Sequence, residues 1–345
     1  MIGWWTTNLR RARQHSLASV IRAVLFRIWP LSILTRCYYR IKFSAIVYSL
    51  LNRDARLAFE RHKVPLDRIQ QRAVAELKRT GIFITHVEDL VTDQMLFERL
   101  QEEAQQLLSE PDIQRQIKER QSKVPLKWYV VRGFGFRPTA GLPEGVVEMF
   151  LGRRLLDITN EYLGLCCRLR YVDLWYNFPV NADEAGISSE LWHRDHEDKK
   201  MIKVFLYLNE VEQDMGPFTY IKETQPGARY ADVFPHRPPE TSHFCDSVIE
   251  PLIPANQIKT CTGRAGTIVI HDPAGLHRGG RTTSKPRVVF VAHYTSHAGI
   301  NPVRYKLLNP SQYASLSPVA QYALSYAATS ARYGICHDDI EVDSR

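Results

Sequence analysis

The chain has 345 residues, of which 44% are hydrophobic and 24% charged, a composition typical of a globular protein with a full core. The formal net charge of +8 lies entirely in residues 1–52, which contain eight Lys or Arg and no Asp or Glu. Residues 53–345 balance 37 basic against 37 acidic side chains, which argues against a nucleic-acid-binding core. Six cysteines without a C-x-x-C pair predict scattered reduced thiols of a cytosolic protein.

The basic segment, residues 1–52, has a helical apolar pattern. One helix face is predicted from Leu17, Val20, Ile21, Val24, Leu25 and Ile28. Its uncharged runs, 28–35 and 43–52, fall far short of the roughly 20 residues needed to span a bilayer. Three interpretations stay open: helices packed on the core, an amphipathic segment lying on an anionic membrane surface, or a mitochondrial-type presequence. Without a secretory signal pattern, the sequence predicts a cytoplasmic location, with peripheral membrane contact through residues 1–52 as the alternative.

After residue 53 the sequence alternates between helical and strand patterns. Predicted helices cover 66–79 (ended by Gly81), 93–119, 145–163 and 318–333. Predicted strands cover 82–85, 128–131, 167–177, 203–208, 266–271 and 286–294. Between two of these strands, the proline-rich insert 224–259 has little periodicity, and we expect it to form a lid or substrate loop beside the functional site. The tail after residue 301 is predicted to pack on the core.

His193 and Asp195 form an H-x-D motif, with one residue between them. On an extended strand that spacing places both side chains on the same face. His277 follows far downstream, in a loop between two predicted strands. Two imidazoles and one carboxylate are the ligand set of non-haem Fe(II) oxygenases, and they leave coordination positions open. An isolated H-x-D arises by chance in a chain of this length, so the prediction depends on the flanking strands.

These residues, with their flanking passages, resemble the phytanoyl-CoA dioxygenase family of Fe(II)/2-oxoglutarate-dependent oxygenases over about residues 70–298. The matching passages are the H-x-D motif, the acidic turn ending in Gly216-Pro217, and the texts Gly266-Thr267-Ile268-Val269-Ile270-His271, His277-Arg278-Gly279-Gly280-Arg281 and Pro286-Arg287-Val288-Val289-Phe290. The resemblance implies an α+β fold with a double-stranded β-helix (jelly-roll) core flanked by helices. Three regions follow: a basic helical extension (1–62), the dioxygenase domain (63–298) and a helical tail (299–345).

The resemblance also implies the roles of individual residues. Iron is expected on His193, Asp195 and His277, with O2 and the co-substrate 2-oxoglutarate in the open positions. Arg287 is expected to hold the far carboxylate of 2-oxoglutarate, with Arg281 in reserve, and Asn177 to touch the co-substrate. One departure concerns the position two residues after the distal histidine, where family members often carry a hydroxyl and this chain has Gly279.

The function that the resemblance implies is hydroxylation of a C–H bond in a small-molecule or lipid-linked substrate, with release of succinate and CO2. Because Asp195 is present, hydroxylation is favoured over halogenation, in which a small residue replaces the carboxylate. Desaturation or cyclisation at the same centre stays open, as do a zinc-dependent hydrolase and a non-catalytic jelly-roll scaffold at the membrane surface. Trp175 is predicted to be a core aromatic and His271 a hydrogen-bonded core histidine, while Phe218 fits either the pocket or the core.

Overall fold

The computed structural model describes residues 29–120, 129–134, 141–180, 186, 188–237, 243–299, 306–307 and 310–324. The helices are α1 Trp29–Lys42, α2 Ala45–Leu51, α3 Arg53–His62, α4 Arg68–Thr80, α5 Val87–Leu90, α6 Leu96–Leu108, α7 Pro111–Arg120, α8 Glu144–Phe150, α9 Arg153–Leu163, α10 Asp246–Ile249, α11 Pro310–Ser315 and α12 Pro318–Ala323. The strands are β1 Ile82–His86, β2 Val130–Arg132, β3 Gly141–Leu142, β4 Arg168–Asn177, β5 Trp192–His193, β6 Ile202–Tyr207, β7 Phe218–Ile221, β8 His243–Phe244, β9 Ile258–Cys261, β10 Thr267–His271, β11 His277–Arg278, β12 Arg287–Thr295 and β13 Lys306–Leu307.

Two antiparallel sheets form the centre of the described fold. The larger has the order β1-β10-β6-β12-β4-β2 and the smaller the order β8-β5-β11-β7-β9. From β4 to β7 the chain crosses between the sheets at every strand, and from β9 to β12 it does so again. This alternation is the jelly-roll arrangement, so the predicted α+β jelly-roll is confirmed, with two sheets that do not close into a barrel.

The larger sheet is buried on both faces, as strand β6 illustrates. Val204 and Leu206 join the cluster that the helices build on the outer face, together with Leu77 of α4. The alternate residues Phe205 and Tyr207 join a second cluster between the sheets. Because successive side chains of a strand point to opposite faces, Lys203 lies on the interior face with Phe205 and Tyr207. A charged residue is therefore placed between the two sheets.

The predicted entry to the fold, a helix, a glycine and a short strand, is observed as α4, Gly81 and β1. Asp67 and Gln70 form a capping box at the start of α4. Gly81 ends the helix with φ at +82°, a left-handed conformation that glycine adopts without a steric penalty. β1 then pairs with β10 at the edge of the larger sheet.

Two helix predictions are wrong in their continuity. The predicted helix 93–119 is two helices, α6 and α7, because the chain turns at Ser109 and Glu110 before Pro111, and proline disfavours a helical conformation in the residue before it. The predicted helix 145–163 is likewise α8 and α9, which are separated by Leu151 and Gly152. A Cβ at Gly152 would lie 2.6 Å from the carbonyl oxygen of Glu148, so only glycine fits there.

The N-terminal helices carry many exposed apolar side chains. α2 has no buried residue, and Leu34, Ile46 and Leu50 are 63%, 75% and 68% exposed. The helical pattern predicted between Leu17 and Ile28 lies outside the described residues. Among the residues that are described, no helix combines the length and the apolar character that crossing a membrane requires.

The C-terminal tail is described as far as residue 324. Val319, Ala320 and Ala323 of α12 are buried in the outer-face cluster, as is Ala55 of α3. The end of the predicted helix 318–333 lies outside the described residues.

Candidate metal centre

Strand pairing brings the two predicted histidine ligands together. His193 of β5 lies directly opposite His277 of β11, with ring centroids 4.3 Å apart. Asp195 follows β5, where its backbone N–H donates to the carbonyl oxygen of Pro273 at 2.8 Å. One potential ligand atom from each of His193, Asp195 and His277 lies within 4.8 Å of the other two. Among the described residues this is the one group of His, Cys, Asp or Glu that meets such a criterion.

The tautomers of both histidines follow from their hydrogen bonds. Nδ1 of His193 lies 2.8 Å from the carbonyl oxygen of Leu191, and Nδ1 of His277 lies 3.0 Å from that of Gly275. A carbonyl only accepts, so Nδ1 carries the proton and Nε2 keeps a free lone pair. Burial lowers the pKa of His277 to about 4 and holds the pKa of His193 well below its usual value. Both imidazoles are therefore neutral at physiological pH, the form that binds metals.

Asp195 has a buried cationic partner that the sequence analysis missed. The ammonium of Lys203 donates a hydrogen bond to Oδ2 of Asp195. Burial alone would raise the pKa of Asp195, but Lys203 and the surrounding histidines together outweigh burial and hold this pKa well below its usual value. The carboxylate is thus ionised, with Oδ1 left for a metal. A lysine inside an otherwise apolar strand was the available signal, because lysine is almost never fully buried unless it is paired.

A cavity of about 60 Å3 adjoins the histidine pair. His193, His277, Lys203, Asn177 and Arg287 all line it. The aromatic walls are Tyr129, Trp175, Phe205, Tyr207 and Phe218. Trp175, which was predicted to be a core aromatic, packs half-buried against two core clusters and also lines this cavity. Phe218 likewise contributes to both cavity and core.

Arg287, the first residue of β12, lies in the cavity wall opposite Asn177 in the strand register. The side-chain amide of Asn177 donates to the carbonyl oxygen of Arg287 at 3.3 Å. Arg287 is 7% exposed, and its Nε has no hydrogen-bond partner among the described residues. A buried donor without a partner is costly, so this guanidinium suits an anionic ligand.

Arg281, the reserve candidate, is already paired. Its Nε donates to Oε1 of Glu190 at 3.0 Å and its Nη2 to Oε2 at 2.7 Å. This bidentate ion pair occupies the edge of the guanidinium that a ligand carboxylate would use. The geometry therefore favours Arg287 over Arg281 for an anionic ligand.

His271 and His293 are two further histidines on the interior face of the larger sheet. Both are fully buried, and neither ring nitrogen of either residue has a hydrogen-bond partner among the described residues. The prediction of a hydrogen-bonded His271 is therefore wrong, although its position in the core is right: its ring lies 4.3 Å from that of Phe218. Both residues pair in register with Lys203, from opposite sides. Burial holds the pKa of each histidine well below its usual value.

Comparison with known families gives a match over this site. The sequence model of the family described as Phytanoyl-CoA dioxygenase (PhyH) matches residues 144–289. That range contains the two histidines, the aspartate and Arg287, and it begins at α8 and ends within β12. Residues 144–289 therefore form a phytanoyl-CoA dioxygenase (PhyH) family domain.

Individual relatives of this phytanoyl-CoA dioxygenase domain are distant. A curated protein of Stutzerimonas stutzeri named "Probable alpha-ketoglutarate-dependent hypophosphite dioxygenase" is 20% identical over 166 residues, which cover 45% of this chain and 54% of that protein. The chain thus matches about half the length of this relative.

Two solved structures show a general likeness. EctD from S. alaskensis, solved with 2-oxoglutarate and 5-hydroxyectoine, has a TM-score of 0.48 and 19% identity, with 71% of this chain and 91% of that chain covered. The epimerase SnoN, solved with Fe3+, alpha ketoglutarate and nogalamycin RO, has a TM-score of 0.44 and 14% identity, with 66% and 84% covered.

Proposed function

We propose that the chain is an Fe(II)/2-oxoglutarate-dependent dioxygenase that hydroxylates a C–H bond of a small-molecule or lipid-linked substrate. The observation that carries this proposal is the meeting of two imidazoles and one carboxylate within 4.8 Å, beside a cavity that contains a buried, partly unpaired arginine. His193, Asp195 and His277 are the proposed iron ligands, and Arg287 is the proposed anchor for the co-substrate.

The donor set fits Fe(II). Two neutral Nε2 atoms and one carboxylate oxygen leave positions for a chelating co-substrate and O2. With Fe(II) bound, the centre would couple the oxidative decarboxylation of 2-oxoglutarate to succinate and CO2 with oxidation of the substrate. The protein's own part is positioning: backbone carbonyls orient both imidazoles, and Lys203 engages one oxygen of Asp195.

Arg287, at the start of β12, and its strand partner Asn177 would bind the co-substrate. A guanidinium forms two parallel hydrogen bonds with a carboxylate, and burial strengthens such a pair. Asn177 supports it by tying its amide to the backbone of Arg287. Tyr129 lines the same cavity, and its hydroxyl lies 2.9 Å from Oγ of Ser189, so these hydroxyls are candidates for the donor that Gly279 does not provide.

The cavity walls support an apolar substrate region next to the metal centre. The volume of about 60 Å3 is small against the several hundred Å3 of a typical ligand site, so substrate entry requires the walls to move. Arg132 stacks over the Trp175 ring at 5.2 Å from its centroid and forms part of the wall. Within the insert 224–259, β8 pairs with β5, so that His243 lies opposite His193, and we propose this insert as the substrate loop.

The test is succinate formation from 2-oxoglutarate by the purified chain with Fe(II), ascorbate and O2. Uncoupled turnover without substrate is expected in the natural chain and is expected to disappear in Asp195→Ala. A zinc hydrolase would form no succinate in this assay, and its activity on its own substrate would need neither O2 nor Arg287. Absence of succinate together with retained Fe(II) binding would support the scaffold alternative. Oxygen consumption that is unchanged in Asp195→Ala would rule out the proposed ligand set.

We further propose that the N-terminal helices bring the enzyme to an anionic membrane surface. α1 and α2 expose Leu34, Ile41, Ile46 and Leu50 next to basic side chains of the same segment, which contains no acid. Apolar insertion and attraction to anionic lipid act together in such segments. An enzyme held at a membrane surface would meet lipid-linked molecules, so this arrangement favours a lipid-linked substrate over a free small molecule.

Point variants test the membrane proposal without removing structural residues such as the buried Asn52. Ile46→Ser with Leu50→Ser is expected to lower co-sedimentation with vesicles of phosphatidylcholine and phosphatidylglycerol. The matched control is Val233→Ser with Val248→Ser, which removes two exposed apolar side chains elsewhere. Equal co-sedimentation of both double variants would contradict the proposal.

A further inference from the structure

A second cavity, of about 520 Å3, lies on the other side of the segment that carries His193 and Asp195. Arg194, the residue between these two, lines this cavity and does not line the one at the histidine pair. No described residue lines both cavities. The other walls come from α1 with the adjacent Phe43, from Lys199, and from the first part of the insert, residues 224–237. The metal centre and this cavity are thus separated by the backbone of the H-x-D segment.

The described lining of this cavity is strongly basic. Its cationic side chains are Arg36, Arg40, Arg194, Lys199 and Arg237, and none of its described lining residues is Asp or Glu. Arg40, Lys199 and Arg237 take part in no ion pair with the described residues. A concave surface that collects several like charges focuses a positive potential and attracts anions.

Arg194 adds a buried guanidinium to the exposed cations of this cavity. It is 2% exposed, and its Nη1 donates to the carbonyl oxygen of Phe234 at 2.8 Å. Its Nε and Nη2 have no hydrogen-bond partner among the described residues. The buried carboxylate of Asp272 acts on it only at a distance, because that carboxylate accepts its hydrogen bonds from Tyr162 and from the backbone N–H of Ala274. Two buried donors of a guanidinium are therefore left for a ligand.

We infer that this cavity binds the phosphate group of an organic phosphate. A phosphate carries up to two negative charges and several acceptor oxygens. These suit the unpaired donors of the buried Arg194 guanidinium and the other cations of the cavity. Tyr39, Phe43 and Phe234 add apolar walls, and the volume leaves room for the organic part of an ester. The ligand is not oxidised there, because the H-x-D backbone separates it from the metal centre. The site is independent of the proposed oxygenase activity.

Binding of phosphate compounds to the full chain and to two matched double variants tests this inference. Arg40→Gln with Arg237→Gln removes two exposed cavity cations, whereas Arg68→Gln with Arg79→Gln removes two exposed cations of α4 outside the cavity. The probes are inorganic phosphate, glycerol 3-phosphate, and phosphatidylcholine vesicles alone, with phosphatidic acid, or with phosphatidylglycerol at equal charge. Calorimetry measures the soluble probes and co-sedimentation the vesicles. Phosphate that ligates the metal affects all three proteins alike, so only the difference between the variants counts.

The expected result is binding that is at least tenfold weaker in the cavity variant than in the natural chain, with the α4 variant unchanged. If this holds for the soluble probes, the ligand is a free phosphate ester. If it holds only for vesicles that contain phosphatidic acid, and not for vesicles of equal charge that contain phosphatidylglycerol, the ligand is a lipid headgroup. Equal binding by the two double variants for every probe would overturn the inference.

Discussion

Lys203 of β6 donates a hydrogen bond to Oδ2 of Asp195, so that a buried ammonium contacts one of the two carboxylate oxygens of a proposed metal ligand. This contact leaves Oδ1 free, which favours a carboxylate that binds the metal through one oxygen. The positive charge of Lys203 also offsets the negative charge of Asp195 between the two sheets. Burial opposes the ionised form of each partner, but their mutual attraction together with the neighbouring groups outweighs burial: the pKa of Asp195 is lowered and that of Lys203 is raised.

Lys203→Met is therefore expected to weaken metal binding. Methionine keeps much of the length of the side chain but removes the hydrogen bond that orients Asp195, and loss of such a partner typically costs about 10- to 100-fold in metal affinity. Titration with Co(II), followed by its visible absorption, measures the affinity. Lys259→Met, an exposed position on β9, is the control and should bind Co(II) as the natural chain does. Tighter binding in Lys203→Met would show instead that the ammonium competes with the metal for the carboxylate.

Arg287→Gln is expected to raise the KM for 2-oxoglutarate about 10- to 100-fold, which corresponds to the ~1.5–3 kcal/mol of a charge-assisted hydrogen bond. The reason is the buried guanidinium with an unpaired Nε that lines the metal-side cavity. Arg281→Gln is the matched control: it breaks the ion pair with Glu190 and should lower the thermal stability, but the KM should stay within about twofold. A larger KM effect from Arg281→Gln than from Arg287→Gln would reverse the assignment.

Gly279→Ser is expected to lower the KM for 2-oxoglutarate. A Cβ at this position would lie 3.9 Å from Nη2 of Arg287 and 3.6 Å from the carbonyl oxygen of Ser189, so a serine fits and its hydroxyl reaches the proposed carboxylate site. One added hydrogen bond of ~0.5–1.5 kcal/mol corresponds to a two- to tenfold lower KM. Gly279→Ala, which adds the carbon without the hydroxyl, should leave the KM unchanged. A rise in KM for both variants would mean that the position is too crowded for any side chain.

Patterns within single strands predicted much of this architecture. The aromatic and β-branched composition of β4, β6, β10 and β12 was sufficient to place the strands. The proposed metal ligands were nominated by H-x-D and the distal histidine together with their flanking passages, through the family resemblance. Helix continuity was wrong where Pro111 and Gly152 break a continuing apolar pattern.

Contacts between distant parts of the chain could not be predicted from such patterns. The Arg281–Glu190 ion pair joins residues 91 positions apart, and the partners of Lys203 depend on the register of three strands. The cavity behind Arg194 requires α1 to lie against the insert, which neither segment's own sequence reveals. Register and packing are decided by the whole fold, and single-sequence periodicity does not contain them.

His271→Leu is expected to stabilise the metal-free chain. Both ring nitrogens of His271 are buried without partners among the described residues, and leucine of similar volume removes that cost, ~1–3 kcal/mol for each unsatisfied group. The loss of ring contacts with Phe218 and Phe205 offsets part of this gain, so we expect a net increase of about 1 kcal/mol in the free energy of unfolding at pH 7. Urea unfolding of the metal-free protein measures it.

The advantage of His271→Leu should grow as the pH falls. Burial holds the pKa of His271 well below its usual value in the folded chain, whereas the unfolded chain takes up this proton below about pH 6.5. Protonation of the unfolded state costs the natural protein up to about 1.4 kcal/mol of stability per pH unit below that value, and the leucine variant avoids the cost. Comparison of urea unfolding at pH 7 and pH 5.5 tests this sign, with His62→Leu, which lies outside the core, as the control. A variant that is less stable than the natural chain at pH 7 would show that His271 makes a polar contact essential to the fold.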